Sequence, residues 1–487
     1  MHASPDSLQP SFSDCPLAAA ARRDPEGMAL RQDGEALSFR QLDAAVSQAA
    51  ARLRAAGCND GMYVALLMPN DRRMVVCLLA LVRLGAIACP LNTRNPPQVL
   101  GGQMHQLNCR RLIAAPGASP AEPGIDVLDP DALCAGPCAA EPARTPASDR
   151  PAVALFTSGS TAAPKAALLT LGNLVANARA SNAVHRLHTD DCWLLSLPLF
   201  HVGGIGILFR CLEAGASFAI GRKEEPLQEA LGRYRVSYLS LVPTQLQRLL
   251  NERPGPATRA RLKCILLGGA AAPDALVREA LRAGLPVRKT YGLTEMASQV
   301  ATVQPTAPAD KQTSAGRVLP GCEVKVAPDG ELLVRGPSRF TGYVEAGSLI
   351  LPFDADGWFA TGDLGQMDQD GYLIIRGRKD NLFVTGGENV QPEEIEAALC
   401  AIEGVEKAVV VPVEDFEFGF RPIAFVKMAA GQPDEQDLSR LLQSLLPRYK
   451  IPVRFFSWPN TSPGPSLKTP RADFRELART LLTPSSL

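Results

Sequence analysis

Short apolar runs alternate with amphipathic stretches along most of the chain, a pattern that predicts strands separated by helices. Ser38-Phe39-Arg40-Gln41 has the spacing of a capping box, and Leu42, Val46, Ala50 and Leu53 follow at helical intervals, so a helix is expected from here to near Gly57. Tyr63 to Met68 reads as a strand, Asn70 as the cap of the apolar helix after it, and Ala86 to Leu91 as the next strand. Strand, helix, strand is the unit of a parallel sheet. Arg111 to Ala115, Ala152 to Phe156, Ala166 to Thr170, Cys192 to Leu197, Val236 to Val242 and Leu262 to Leu267 are further strands. Thr170 is placed to cap a helix running to about His185, and Pro243-Thr244 to open another. Residues 116–150, rich in alanine, proline and glycine, carry no periodicity and read as a surface connection.

After Gly321 the pattern changes. Glu323 to Val326 and Glu331 to Val334 flank Asp329-Gly330, and Asp370-Gly371 marks a second tight turn, so this part of the sheet is expected to be antiparallel. From Asn381 onward come a Gly386-Gly387 turn, a helix from Pro392 to Leu399, strands around Val409 and Phe425, and a helix from Asp437 to Leu446. That is enough for a small α+β unit. The fold class is therefore α/β: a large N-terminal domain of α/β layers with a small antiparallel part (1–378), then a small, mobile α+β C-terminal domain (379–487), with the boundary at Arg378 to Asp380.

The balance of 50 basic against 50 acidic residues advertises no polyanionic partner, which argues against nucleic acid. The most apolar stretch, Val75 to Leu91, is interrupted by Arg83, and the first residues lack a basic segment leading into an apolar one. No integral membrane segment is expected, and the location expected is the cytoplasm. The twelve cysteines are scattered, which suits reduced thiols; the closest pair, Cys134 and Cys138, has no histidine beside it to suggest zinc. A homo-oligomer is compatible with the sequence, which does not specify one.

Chemistry concentrates where strands end. Thr157-Ser158-Gly159-Ser160-Thr161-Ala162-Ala163-Pro164-Lys165 joins two apolar runs through small and hydroxylated residues, a loop whose backbone N–H groups and hydroxyls can approach phosphate oxygens while the lysine supplies charge. It is not a Walker A loop, because Lys165 is followed by Ala166-Ala167 and not by Ser or Thr; a plain connection is the alternative. His201 follows the strand ending at Leu197 and stands beside Gly203-Gly204, at the sheet end where ligands bind in open α/β folds. Tyr291-Gly292-Leu293-Thr294-Glu295 combines an aromatic plane, a glycine for close approach, a hydroxyl and a carboxylate, parts suited to a base, a phosphate and a magnesium ion. Asp363 follows Gly362, and Arg376-Gly377-Arg378-Lys379-Asp380 is a charged segment between apolar runs.

In this order, from about Ser38 to the C-terminus, these segments, with Gly386-Gly387-Glu388-Asn389-Val390, Pro392-Glu393-Glu394-Ile395-Glu396 and a late Lys468, resemble the adenylate-forming superfamily of acyl-CoA synthetases, adenylation domains and luciferases. The resemblance implies ATP, Mg2+ and coenzyme A as cosubstrates and a small carboxylic acid as substrate. It implies that Thr157, Ser158, Gly159, Ser160, Thr161 and Lys165 hold the β- and γ-phosphates, Thr294 the α-phosphate and Glu295 the metal. Asp363 and Arg378 would bond the ribose, and Tyr291 and Gly292 with Gly269 and Ala270 would enclose the adenine. Asp380 falls at the hinge position, Lys468 would neutralise charge during adenylation, and His201 would line the acyl pocket or gate the thiol. Ala162, Ala166 and Leu467 depart from the family pattern, which has glycine there in many relatives.

Trp193 to Val202, Ser240 to Leu246, Leu266 to Ala271, Asp380 to Phe383 and Glu417 to Pro422 resemble the ortho-succinylbenzoate–CoA ligase branch, which serves menaquinone biosynthesis. Other aryl- or fatty-acyl-CoA synthetases, loading of a carrier-protein thiol, luciferase-like oxygenation and an inactive nucleotide-binding regulator are the alternatives the sequence leaves.

Overall fold

The computed structural model describes residues 15–482 apart from 116, 118–122, 137–146, 158–164, 223, 386–387, 416–417, 430–434, 444 and 460–470. Two large sheets carry most of the chain. The first has nine strands in the order Arg317–Val318, Ser298–Thr302, Val287–Leu293, Cys264–Leu267, Tyr238–Leu241, Cys192–Leu194, Ser217–Ile220, Met28–Gln32, Glu35–Ser38. Its central strands run parallel, and antiparallel partners close both edges. The second has eight: Ser348–Ile350, Gly342–Glu345, Lys165–Thr170, Pro151–Thr157, Ile87–Pro90, Tyr63–Leu67, Arg111–Ala114, Asp126–Leu128.

One continuous apolar core joins the two sheets. It takes Val64, Leu66, Val153 and Leu155 from the second sheet, Leu30, Trp193 and Phe218 from the first, and Leu42, Val75, Leu174 and Ile205 from the helices packed with them. Those helices start where the side-chain chemistry directs. Ser38 and Gln41 form a reciprocal capping box for Phe39–Ala55, and Thr170 and Asn173 do the same for Leu171–His185. Arg83 is buried in this region and is compensated there, pairing with Asp43 and Ser47 across two packed helices.

Several expectations need correction. Asp71, not Asn70, caps the helix Arg72–Leu84 by accepting from the Met74 amide. Asn70 instead reaches the turn after the strand Cys192–Leu194 of the other sheet, where its Nδ2 donates to the Leu197 carbonyl (2.8 Å) and its Oδ1 accepts from the Leu199 amide (2.9 Å). The stretch 116–150 contains the edge strand Asp126–Leu128 and the helix Pro130–Cys134; both are too short to show a period, although Asp129 is an ordinary N-cap. The strand expected to reach Leu197 ends at Leu194: the Leu195 amide still donates to the Ala219 carbonyl of the neighbouring strand, but the Ser196 amide folds back onto the Leu194 carbonyl (2.8 Å) and the chain then turns through Pro198.

A four-stranded antiparallel sheet, Glu323–Val326, Glu331–Arg335, Phe359–Met367 and Leu373–Arg378, follows the two large ones. The last strand ends in a 3₁₀ turn, Lys379–Asn381. Beyond it, strands Phe383–Thr385, Glu388–Val390, Val405–Asp415, Gly419–Met428 and Phe455–Ser457 form a further sheet with two buried faces. Val410 faces the helix Pro392–Cys400, while Val409 and Val411 face Phe474 of the helix Arg471–Leu481, the alternation a strand demands. The Gly386-Gly387 turn lies outside the described residues. Among the described residues no helix is long and apolar enough to cross a membrane, and all described cysteines are free thiols.

Candidate active site

The proposed phosphate loop joins two antiparallel strands in which Thr157 pairs with Lys165, and the Thr157 hydroxyl donates to the Lys165 carbonyl (3.3 Å). Ser158, Gly159, Ser160 and Thr161 lie outside the described residues, so only the two ends of the loop are placed. Lys165 Nζ sits 5.2 Å from the centre of the Tyr343 ring and 3.6 Å from Glu345, a half-exposed pair that contributes little by itself. Tyr343 in turn donates its hydroxyl to Glu295 Oε1 at 2.6 Å. Burial and the adjacent Glu295 carboxylate hold that phenol well above its ordinary range, so it remains a donor. Tyr343 thus connects Lys165 with Glu295, and nothing in its sequence context distinguished it.

Glu295 belongs to the 3₁₀ turn Thr294–Met296, which follows the strand Val287–Leu293. The Phe340 amide donates to the Glu295 carbonyl (2.8 Å), fixing the backbone. Among the described residues no lysine or arginine pairs with the carboxylate, which has Tyr343 as its hydrogen-bond partner. A carboxylate so placed fits magnesium, which takes one or two protein oxygens and completes its shell with phosphate oxygens and water. No cluster of three metal-ligating side chains occurs among the described residues. Gly292 is glycine for a reason internal to the chain: a Cβ there would overlap the Ser298 carbonyl of the same hairpin. Gly269 has φ +78° just beyond the strand Cys264–Leu267, a left-handed conformation that favours glycine, and presents Ala270 to the exterior at the sheet's C-terminal end.

Tyr291, Asp363 and Arg378 form a second constellation. The Tyr291 hydroxyl donates to Asp363 Oδ2 (2.7 Å), and Arg378 Nη1 donates to Asp363 Oδ1 (3.1 Å) and to the Thr361 carbonyl (2.7 Å). Arg378 Nη2 reaches Asp380 Oδ2 (3.1 Å). The Asp363 amide is held in turn by the Thr361 hydroxyl. Burial, then Asp363, raises the Tyr291 phenol well above its usual range. The arrangement offers a hydroxyl-binding carboxylate whose position is set by two donors, with a guanidinium alongside.

His201 stands at the N-terminus of the helix Val202–Ala214 with its ring tilted against Phe200, centroids 4.7 Å apart. The turn before it, Leu197 to Leu199, is the one clamped by Asn70. The same helix carries Arg210, which the sequence reading passed over. Its side chain is fully buried, with Nη2 3.0 Å from Ser298 Oγ and 3.4 Å from Asn177 Oδ1, and its guanidinium 5.5 Å from the Trp193 ring. Among the described residues no carboxylate pairs with it, and burial lowers its pKa to about 10. An arginine set between the apolar run Gly203-Gly204-Ile205-Gly206-Ile207-Leu208-Phe209 and Cys211-Leu212 was the available signal. Lys468 lies outside the described residues; Arg471, three positions later, pairs with Glu393 and Glu396.

A family model described as AMP-binding enzyme matches residues 17–344, and one described as AMP-binding enzyme C-terminal domain matches residues 394–463. The 2-succinylbenzoate–CoA ligases of Salmonella typhimurium and Escherichia coli are 37% and 36% identical to the chain. These alignments cover 95% and 96% of this chain and 97% and 98% of the relatives. The Bacillus subtilis o-succinylbenzoate CoA synthetase, solved in complex with the acyl-adenylate intermediate OSB-AMP, superposes with a TM-score of 0.86 at 31% identity, covering 94% of this chain and 97% of that one. The structure of that synthetase in complex with ATP and magnesium ion superposes with a TM-score of 0.84 at 30% identity, covering 94% of this chain and 98% of that one.

Proposed function

The chain belongs to the AMP-binding enzyme family, and we propose that it is the acid–thiol ligase that converts 2-succinylbenzoate, ATP and coenzyme A into 2-succinylbenzoyl-CoA, AMP and pyrophosphate, the reaction of menaquinone biosynthesis. The observation that carries the choice of acid is Arg210. A buried guanidinium without a carboxylate is costly, and a substrate with a second carboxylate, remote from the reacting one, would supply the missing partner. Monocarboxylates such as benzoate or a fatty acid would leave it uncompensated.

In this reading ATP lies across the strand ends, with its ribose hydroxyls on Asp363 and Arg378 and its adenine beside Tyr291, Gly269 and Ala270. Thr157, Lys165 and the loop between them hold the β- and γ-phosphates, and Thr294 holds the α-phosphate. Magnesium at Glu295, when bound, offsets phosphate charge. The reacting carboxylate attacks the α-phosphorus, and pyrophosphate leaves with the electrons of the broken P–O bond. The thiol of coenzyme A then forms a C–S bond at the acyl carbon, loses its proton, and AMP leaves with the former carboxylate oxygen. Lys165 and Lys468 lower the repulsion between the anions that meet in the first step, the electrostatic contribution that dominates such transfers. His201 lines the acyl pocket at the point where the thiol must enter.

The domain reading is also a proposal: residues 1–378 form the larger unit and 379–487 the smaller, with Asp380 as hinge. The 3₁₀ turn Lys379–Asn381 supports it, as does a C-terminal family match that begins after this turn. We place the reaction in the cytoplasm, where ATP and coenzyme A are available. Pyrophosphate release with a panel of 2-succinylbenzoate, benzoate and fatty acids, with and without coenzyme A, tests the assignment. The expected result is selective turnover of succinylbenzoate with thioester formation; light emission, or adenylate that never passes to coenzyme A, would refute it.

A further inference from the structure

The turn bearing Thr294 and Glu295 continues into two residues with unfavourable backbone geometry, Ala297 (φ 55°) and Ser298 (φ 132°), neither of them glycine. Such conformations persist only where surrounding contacts over-determine them. Here the contacts come from another element. Asn177, on the helix Leu171–His185 and 1% exposed, donates from Nδ2 to the carbonyls on both sides of the strained pair, Met296 (3.0 Å) and Gln299 (2.7 Å). Its Oδ1 lies 3.4 Å from Arg210 Nη2, and that same nitrogen reaches Ser298 Oγ at 3.0 Å. One turn along, Ser181 holds the Gln299 side chain (2.7 Å), which continues to Thr290 (2.8 Å) on the strand leading into the turn. Every polar atom of the Asn177 amide is therefore engaged in fixing this segment or the guanidinium beside it.

We propose that Asn177 is a positioning residue for the metal: by gripping both carbonyls around Ala297-Ser298 it aims the Glu295 carboxylate at the magnesium ion of MgATP. An amide is required, because the position must donate twice and accept from a guanidinium, which neither a carboxylate nor a hydroxyl can do. The proposal rests on the reading of Glu295 as the metal-binding carboxylate.

The test is a calorimetric titration of the full-length protein with ATP, with and without Mg2+ and in the absence of acid. The parent should bind ATP more tightly with Mg2+. Asn177→Ala should lose tenfold or more of that Mg2+-dependent gain while its affinity for metal-free ATP changes less than twofold, and Asn177→Ser, which keeps one donor and fills more of the space, should recover part of it. Asn177→Ser also serves where the alanine variant does not fold. A merely structural role lowers the melting temperature and leaves the gain intact in the folded protein. The proposal is overturned if both variants keep the parental Mg2+ gain, or if metal-free and Mg2+-bound ATP lose affinity equally. A parent that gains nothing from Mg2+ overturns the metal reading of Glu295 and this proposal with it, an outcome distinct from the first two.

Discussion

Arg378 and Asp363 face each other across adjacent strands, Nη1 to Oδ1 at 3.1 Å, and Tyr291 occupies the other carboxylate oxygen at 2.7 Å. Removing the carboxylate by Asp363→Ala leaves the buried Tyr291 phenol without its acceptor, takes one of the acceptors of Arg378, and removes the acceptor proposed for the ribose. ATP affinity should fall by on the order of tenfold, the scale of about 1–3 kcal/mol for an unmatched buried group. The check is 2′,3′-dideoxy-ATP, which should lose much less; equal losses for both nucleotides would show that Asp363 does not bind the ribose.

Substitution of Arg210 should move stability and activity in opposite directions. Arg210→Met removes a buried charge that has no carboxylate partner among the described residues, so the melting temperature without ligand should hold or rise. The same variant should lose on the order of 10²-fold in kcat/KM for 2-succinylbenzoate, as when one member of a buried charge pair is deleted, with little change for benzoate. Arg210→Lys keeps the charge without the planar fork and should recover only part of the loss. Parallel losses for both acids would remove Arg210 from substrate recognition.

What could be read in advance follows from where the information lies. The capping box at Ser38, the cap at Thr170 and the apolar strands between them are local patterns, and the structure realises them. Asn70 was misread because an asparagine before a helix is an ordinary cap, and only the folded chain brings it against Leu197 and Leu199, more than a hundred residues away. Tyr343 and Arg210 escaped for the same reason: their partners Glu295 and Ser298 are distant in sequence, and burial is a property of the assembled core. Gly292 was read as a point of close approach to the nucleotide; the group the fold brings against it is the Ser298 carbonyl of its own hairpin.

His185 provides a pH-dependent test of the core behind the site. Burial first, then Arg288 and Arg210, lowers its pKa from 6.5 to about 3. Its Nδ1 lies 2.9 Å from Arg288 Nη1, which assigns the proton to Nε2. Because the folded pKa is depressed, the unfolded chain binds the extra proton between about pH 6.5 and pH 3. Stability is therefore fully present above pH 6.5 and falls through this window as the pH drops, with a total of several kcal/mol, on the order of 1.4 per unit. Chemical denaturation at pH 7 and pH 4.5 should show a smaller acid loss for His185→Gln than for the parent; an identical loss would contradict the assignment.

The central claim is that a carboxylate oxygen of 2-succinylbenzoate attacks the α-phosphorus of ATP before coenzyme A displaces AMP. Succinylbenzoate labelled with 18O in its carboxylates, turned over with ATP, Mg2+ and coenzyme A, tests this by mass spectrometry of the nucleotide. The account predicts AMP carrying one 18O, unlabelled pyrophosphate, and a coenzyme A thioester whose acyl group has lost one labelled oxygen. Unlabelled AMP, or label appearing in phosphate with ADP as the nucleotide product, would contradict it.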